Sequence, residues 1–128
     1  MKYLRVSSRR SFSQSLFSAL HGVWLVVRGG ANFRRQLFIF IIVLVLAFVL
    51  QLHVWEVLII IFVSAAVMSF EAINSALEAL EDIVHVHHHP AIRHSKDIAA
   101  GAVVIMSVAA ALIGIFLFGP RLYMLLVG

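Results

Sequence analysis

Four apolar blocks punctuate the chain, and their periods differ. Residues 11–28, SFSQSLFSALHGVWLVVR, place Phe12, Leu16, Ala19, Leu20, Val23 and Val27 on one helical stripe, with serines, Gln14 and His21 on other faces. Ser11 followed three positions later by Gln14 is a helix-start signature. Arginines precede this block and Arg28 closes it, the pattern of an amphipathic helix lying in a membrane interface. Gly29 and Gly30 then break it. The other blocks are apolar on every face. Residues 37–50 carry no polar side chain; taken as 36–55, with Trp55 at the interface, they reach the roughly 20 residues a span needs. Residues 57–84 begin as a second span, VLIIIFVSAAVMSF, and end in acid, EAINSALEALEDIV. Residues 97–118 form a third, with Arg121 and Tyr123 beyond it and Ser107, Ala111 and Gly114 on one face, suited to close helix packing. The pattern predicts an all-α membrane protein, one integral-membrane domain over residues 1–128, with an N-terminal interfacial amphipathic helix and three transmembrane helices.

Composition supports the same class. Hydrophobic residues make up 62% of the chain and charged ones 12%, against about half and a quarter in soluble domains. The net charge of +4 sits beside the apolar blocks, so it reads as topology and not as nucleic-acid binding. Lys2, Arg5, Arg9, Arg10, Arg28, Arg34 and Arg35 precede the first span, residues 51–56 contain no Lys or Arg, and the next connection carries Arg93 and Lys96. The N-terminus and the second connection are therefore expected on the cytoplasmic side of a bacterial inner membrane. Trp24 and Trp55 read as interface anchors, and Arg34 and Arg35 as topology determinants and headgroup partners. Residues 1–10 are basic, but no cleavage site follows a clean apolar core, so no removed leader is expected. Without cysteine there is neither disulfide nor thiol chemistry.

The acidic end of the second span carries the candidate chemistry. At about 100° per residue, with Glu71 as origin, Asn74 falls near 300°, Glu78 near 340° and Asp82 near 20°, with Glu81 at the edge near 280°. These residues share one stripe. Measured from Val57 at about 1.5 Å per residue, Glu71 lies roughly 21 Å in, still inside a hydrocarbon core of about 30 Å. A carboxylate at that depth is costly and is a functional candidate by default, suited to act as a general base. Glu78 and Asp82 lie about 10 Å or more further on, at headgroup depth, where a lysine, an arginine or a divalent metal such as magnesium can neutralise them. The face thus offers a proton acceptor at lipid-hydroxyl depth and a cation site at aqueous depth. Neither a P-loop nor a soluble-kinase signature is present.

The stretch EAINSALEALED resembles the E-x-x-N-[ST]-A-[IL]-E-x-x-x-D signature of the small bacterial integral-membrane lipid kinases, the diacylglycerol and undecaprenol kinases. RHSKDIAAGAV, from Arg93 to Val103, resembles the family's K-D-x-x-x-[AG]-A-V segment, and NFRRQ, from Asn32 to Gln36, matches more loosely. The resemblance implies a homotrimer that transfers the γ-phosphate of ATP, with Mg2+, to a membrane lipid hydroxyl. It implies Glu71 as general base and Asn74 as a positioning group. It implies Glu78 as metal ligand and nucleotide contact, and Lys96 and Asp97 as nucleotide-binding residues. His87, His88 and His89 stand where the family's loop contacts nucleotide. One departure is plain: the family's second metal-binding glutamate, three residues before the apolar-Arg pair, is Gly30 here. Two other readings stay open. One is a non-catalytic relative of the kinases. The other is a divalent-cation binding or transport protein using the acidic face and a zinc site at His85, His88 and His89, although Pro90 makes that run a helix end.

Overall fold

The computed structural model describes residues 11–84 and 90–128. These form four helices: α1 (Phe12–Gly29), α2 (Ala31–Val49), α3 (Val54–Val84) and α4 (Pro90–Val127). The last three are long and apolar enough to cross a membrane. The described chain is thus all-α, a multi-pass membrane protein with an additional N-terminal helix.

Helix α1 starts where the sequence signals it: the Ser11 N–H donates to Gln14 Oε1 at 3.1 Å. No α1 residue is buried, and Phe12 and Phe17 are 84% and 74% exposed. A helix with so unpartnered an apolar side suits the membrane interface. Trp24 anchors its C-terminal half, stacked on His21 and covered by the Arg28 guanidinium at 5.0 Å. A single residue, Gly30, separates α1 from α2. Its N–H closes α1 on Val26 O at 2.8 Å, and a Cβ there would lie 2.8 Å from that same oxygen. A side chain at position 30 therefore requires the elbow to shift. Arg34 steadies the junction by donating to Arg28 O at 2.7 Å and Val27 O at 3.3 Å, cation on helix C-terminus.

The α2–α3 connection departs from the expected boundary. Helix α2 closes with the Leu52 N–H on Ala47 O and the Gln51 N–H on Phe48 O, the paired bonds of a Schellman cap, with Gln51 at φ 51°. Glycine usually occupies that left-handed position, and without it the stop is invisible in sequence. Trp55, expected to end the first span, instead lies in the first turn of α3, 58% exposed. The third membrane helix is also longer than the expected 97–118: it starts at Pro90, a residue suited to a first helical position, and runs on through Pro120. Arg121 and Tyr123, placed beyond it by sequence, are helical.

Apolar side chains face both inward and outward, unlike those of a soluble protein. Helix α3 is central, touching the other three. The small core, Ala47, Ile60 and Phe118 with partly buried neighbours such as Phe40 and Leu117, lies toward the α2–α3 connection. Outward, Phe38, Phe48, Phe62 and Phe116 stand exposed, a surface that acyl chains and not water would solvate. At about 1.5 Å per residue, the 31 residues of α3 span roughly 46 Å. That exceeds the roughly 30 Å hydrocarbon thickness, so one end of α3 must emerge among headgroups.

Candidate functional site

The acidic stripe falls on the C-terminal half of α3, and burial grades along it. Glu71 is 4% exposed and Asn74 6%. One and two turns on, Glu78 is partly exposed, and Asp82 is exposed. A helix that packs at its middle and emerges at its end produces this gradient from a single periodic pattern. Helix α4 supplies the cation: Lys96 Nζ lies 3.9 Å from Glu78 Oε1, both side chains near half exposed. Asp97, the next residue, is exposed. The structure thus brings Glu78 and Lys96 together on the same end of the bundle. His87, His88 and His89, with His85, lie outside the described residues.

Two grooves flank the stripe. One, of about 830 Å³, is walled by Glu71, Glu78 and Asp82 on α3 and by Gly29, Gly30 and Asn32 at the α1–α2 elbow. The other, of about 610 Å³, lies among α2, α3 and α4 and is almost wholly apolar: Val43, Val67, Ala111 and Phe118 line it, with Gln36, Ser64 and Ser107 among the few polar members. Gln36 connects the two, since its Nε2–H donates to Glu71 Oε2 at 3.4 Å. In the sequence Gln36 only closes the polar stretch NFRRQ ahead of an apolar run, with nothing local to pair it with Glu71.

Several polar atoms here lack partners. Gln36 Oε1, Asn74 Oδ1 and Glu81 Oε1 are buried without a hydrogen bond among the described residues. Native structures leave few such atoms, and each calls for a partner such as water, an ion or a ligand, or for a catalytic role. The donor set suits hard cations: Glu78 and Asp82 offer carboxylate oxygens to one groove. Among the described residues no three His, Cys, Asp or Glu side chains converge as a metal cage. That set fits a magnesium ion held chiefly by phosphates and water, since magnesium commonly takes only one or two protein carboxylates.

Comparison with known proteins agrees with the motifs. Residues 17–118 match the family described as prokaryotic diacylglycerol kinase. The chain is 33% identical over 111 residues to an undecaprenol kinase of Bacillus subtilis, covering 87% of this chain and 90% of the relative. It is 36% identical over 97 residues to a diacylglycerol kinase of Synechocystis sp., covering 75% of this chain and 55% of that protein. A diacylglycerol kinase of Pseudomonas aeruginosa is 31% identical over 84 residues, 66% of this chain and 68% of the relative. The chain therefore belongs to the prokaryotic diacylglycerol kinase family, and it is a membrane lipid kinase.

Proposed function

We propose that the protein transfers the γ-phosphate of ATP, delivered as its magnesium complex, to the hydroxyl of a membrane lipid, either diacylglycerol or undecaprenol. One observation carries the reading: Glu71 is buried in the bundle while Glu78, two turns along the same helix, meets Lys96 in the open. A proton acceptor is shielded from water, and a charged nucleotide is met where water reaches.

In this reading Lys96 faces the phosphates, with Asp97 beside it, and Glu78 takes part in holding the magnesium that accompanies them. Magnesium would spread the charge of the transferring phosphoryl group. The lipid oxygen forms a bond to the γ-phosphorus, the bond from that phosphorus to the β–γ bridging oxygen breaks, and ADP departs. The hydroxyl proton passes to Glu71. Asn74, buried one turn further along, helps orient the reacting groups. Residues 87–89 would add nucleotide contacts. The assembly is a homotrimer, a reading that the family resemblance supports.

The chain sits in the bacterial inner membrane with its N-terminus cytoplasmic. In support, Arg28, Arg34, Arg35, Arg93 and Lys96 all flank the nucleotide end in sequence, whereas Arg121, toward the other end, is paired with Glu56. The test is a phosphotransfer panel: purified protein in lipid vesicles, labelled ATP, and diacylglycerol or undecaprenol as acceptor. Labelled lipid phosphate that needs both ATP and magnesium supports the reading and selects the lipid. Metal flux without nucleotide dependence would replace it.

A further inference from the structure

Away from the acidic stripe, His21, Trp24 and Arg28 form a column along α1, all three exposed. The His21 imidazole stacks on the Trp24 indole, with ring centroids 5.7 Å apart and planes 16° from parallel. The Arg28 guanidinium lies 5.0 Å from the same indole. His21 is one turn before Trp24 and Arg28 one turn after, so the two flank the ring from opposite ends. Stacking uses the flat face of a guanidinium and leaves its N–H edge for a ligand, and that edge suits phosphate oxygens. No carboxylate takes it: the ion pairs among the described residues are Lys96–Glu78 and Arg121–Glu56.

The place of the column on α1 says what kind of phosphate meets it. At about 100° per residue, with Gly22 as origin, Trp24 lies at about 200°, Arg28 at about 240° and His21 at about 260°. Apolar Leu16, Leu20 and Val27 lie at about 120–160°, and polar Gln14 and Ser18 at about 280–320°. The column is therefore the rim between the side of α1 that suits acyl chains and the side that suits water, which is headgroup depth. Gly22, Val26 and Gly29 cluster around the origin and wall the groove shared with Glu71, Glu78 and Asp82, so the carboxylates of α3 meet α1 on its other side. From α2, Arg34 is engaged with Val27 O and Arg28 O, and Arg35 with Asn32 Oδ1.

We propose that this column is a site for the phosphate of an anionic lipid headgroup, not of the acceptor lipid, and that His21 tunes it with pH. Arg28 is charged throughout and donates to the phosphate at any pH. His21 joins it when protonated, because both ring nitrogens then donate and the site gains a positive charge. Affinity for the anion therefore rises as pH falls, and a bound anion in turn favours the protonated imidazole. Helix α1 buries none of its own residues, so headgroup contacts of this kind keep it, and its wall of the acidic groove, in place.

The test needs no phosphotransfer and so stands apart from the kinase reading. Full-length protein carrying Trp55→Phe, which leaves Trp24 as its one tryptophan, is placed in phosphatidylcholine vesicles with increasing phosphatidylglycerol, and Trp24 fluorescence is followed. The phosphatidylglycerol fraction at half-change should fall about fivefold between about pH 8 and about pH 5, the gain that one added charge gives at a lipid surface. His21→Gln should keep the high-pH value throughout. His21→Arg, which retains stacking and charge, should keep the low-pH value throughout. Arg28→Gln should weaken the response at both ends of the range. A wild-type half-change that ignores pH, a pH dependence that survives in the His21 variants, or an unaltered response in Arg28→Gln overturns the proposal. So does a full response to inorganic phosphate over phosphatidylcholine alone, which would make the ligand a free anion.

Discussion

The bundle has two polar ends, and they are built in opposite ways. At the α2–α3 connection, Glu56 is 5% exposed and fully engaged. It accepts from Arg121 Nη1 at 2.9 Å, from Arg121 Nη2, and from the His53 N–H at 2.7 Å. Arg121 in turn reaches Leu117 O at 3.0 Å. At the other end, Glu71 has one long bond to Gln36, Asn74 Oδ1 has none, and Glu78 meets Lys96 only at 3.9 Å in the open. The first end is closed and ties α3 to α4. The second keeps its polar groups underused, which is what a site that must receive two substrates requires. Burial alone does not separate the two, since Glu56 and Glu71 are buried alike; satisfaction of hydrogen bonds does.

The largest test of this contrast is Glu71→Gln. Labelled phosphate transfer should fall on the order of 10²–10⁴-fold, the usual contribution of a general base, while the thermal midpoint in detergent hardly moves. Near wild-type transfer would put the open end on a par with the closed one. Arg121→Met should behave in the opposite sense: it strands a buried carboxylate. The midpoint should drop by several degrees while activity per folded molecule holds, and adding Glu56→Leu should recover part of the loss. Third comes the elbow. Gly30→Glu, which installs the acid that the family resemblance places there, should lower activity by misplacing α1, because its Cβ meets Val26 O. Gly29→Glu, with open space at its Cβ on the wall facing Glu78, should be tolerated and should lower the magnesium concentration needed for half-maximal rate. Smallest is Gln51→Gly, expected to stabilise by about 1 kcal/mol, since it relieves the left-handed strain at φ 51° but adds chain entropy to the unfolded state, read as a slight rise in midpoint with unchanged kinetics.

What could be read from sequence follows from distance along the chain. The acidic stripe was legible because one helical period, all within fourteen residues of α3, carries it. The three spans and the Gly30 break were legible because length and glycine signal them locally. The Glu56–Arg121 pair was not, because its partners lie 65 positions apart and looked like a loop residue and a tail residue. Trp55 reads in sequence as the end of the first span but opens α3, because the turn before it uses glutamine where glycine is the usual marker. Gln36 looked like the polar edge of a span, and only the packing of α2 on α3 brings it to Glu71.

The closed end also constrains how the chain is made. In the proposed orientation, with the N-terminus cytoplasmic, the hairpin of α2 and α3 would carry Glu56 across the bilayer before Arg121 is synthesised. Until α4 enters, that carboxylate travels without its counter-ion. That order would make insertion of α4 the step that supplies the counter-ion of Glu56 and ties the hairpin to the last span.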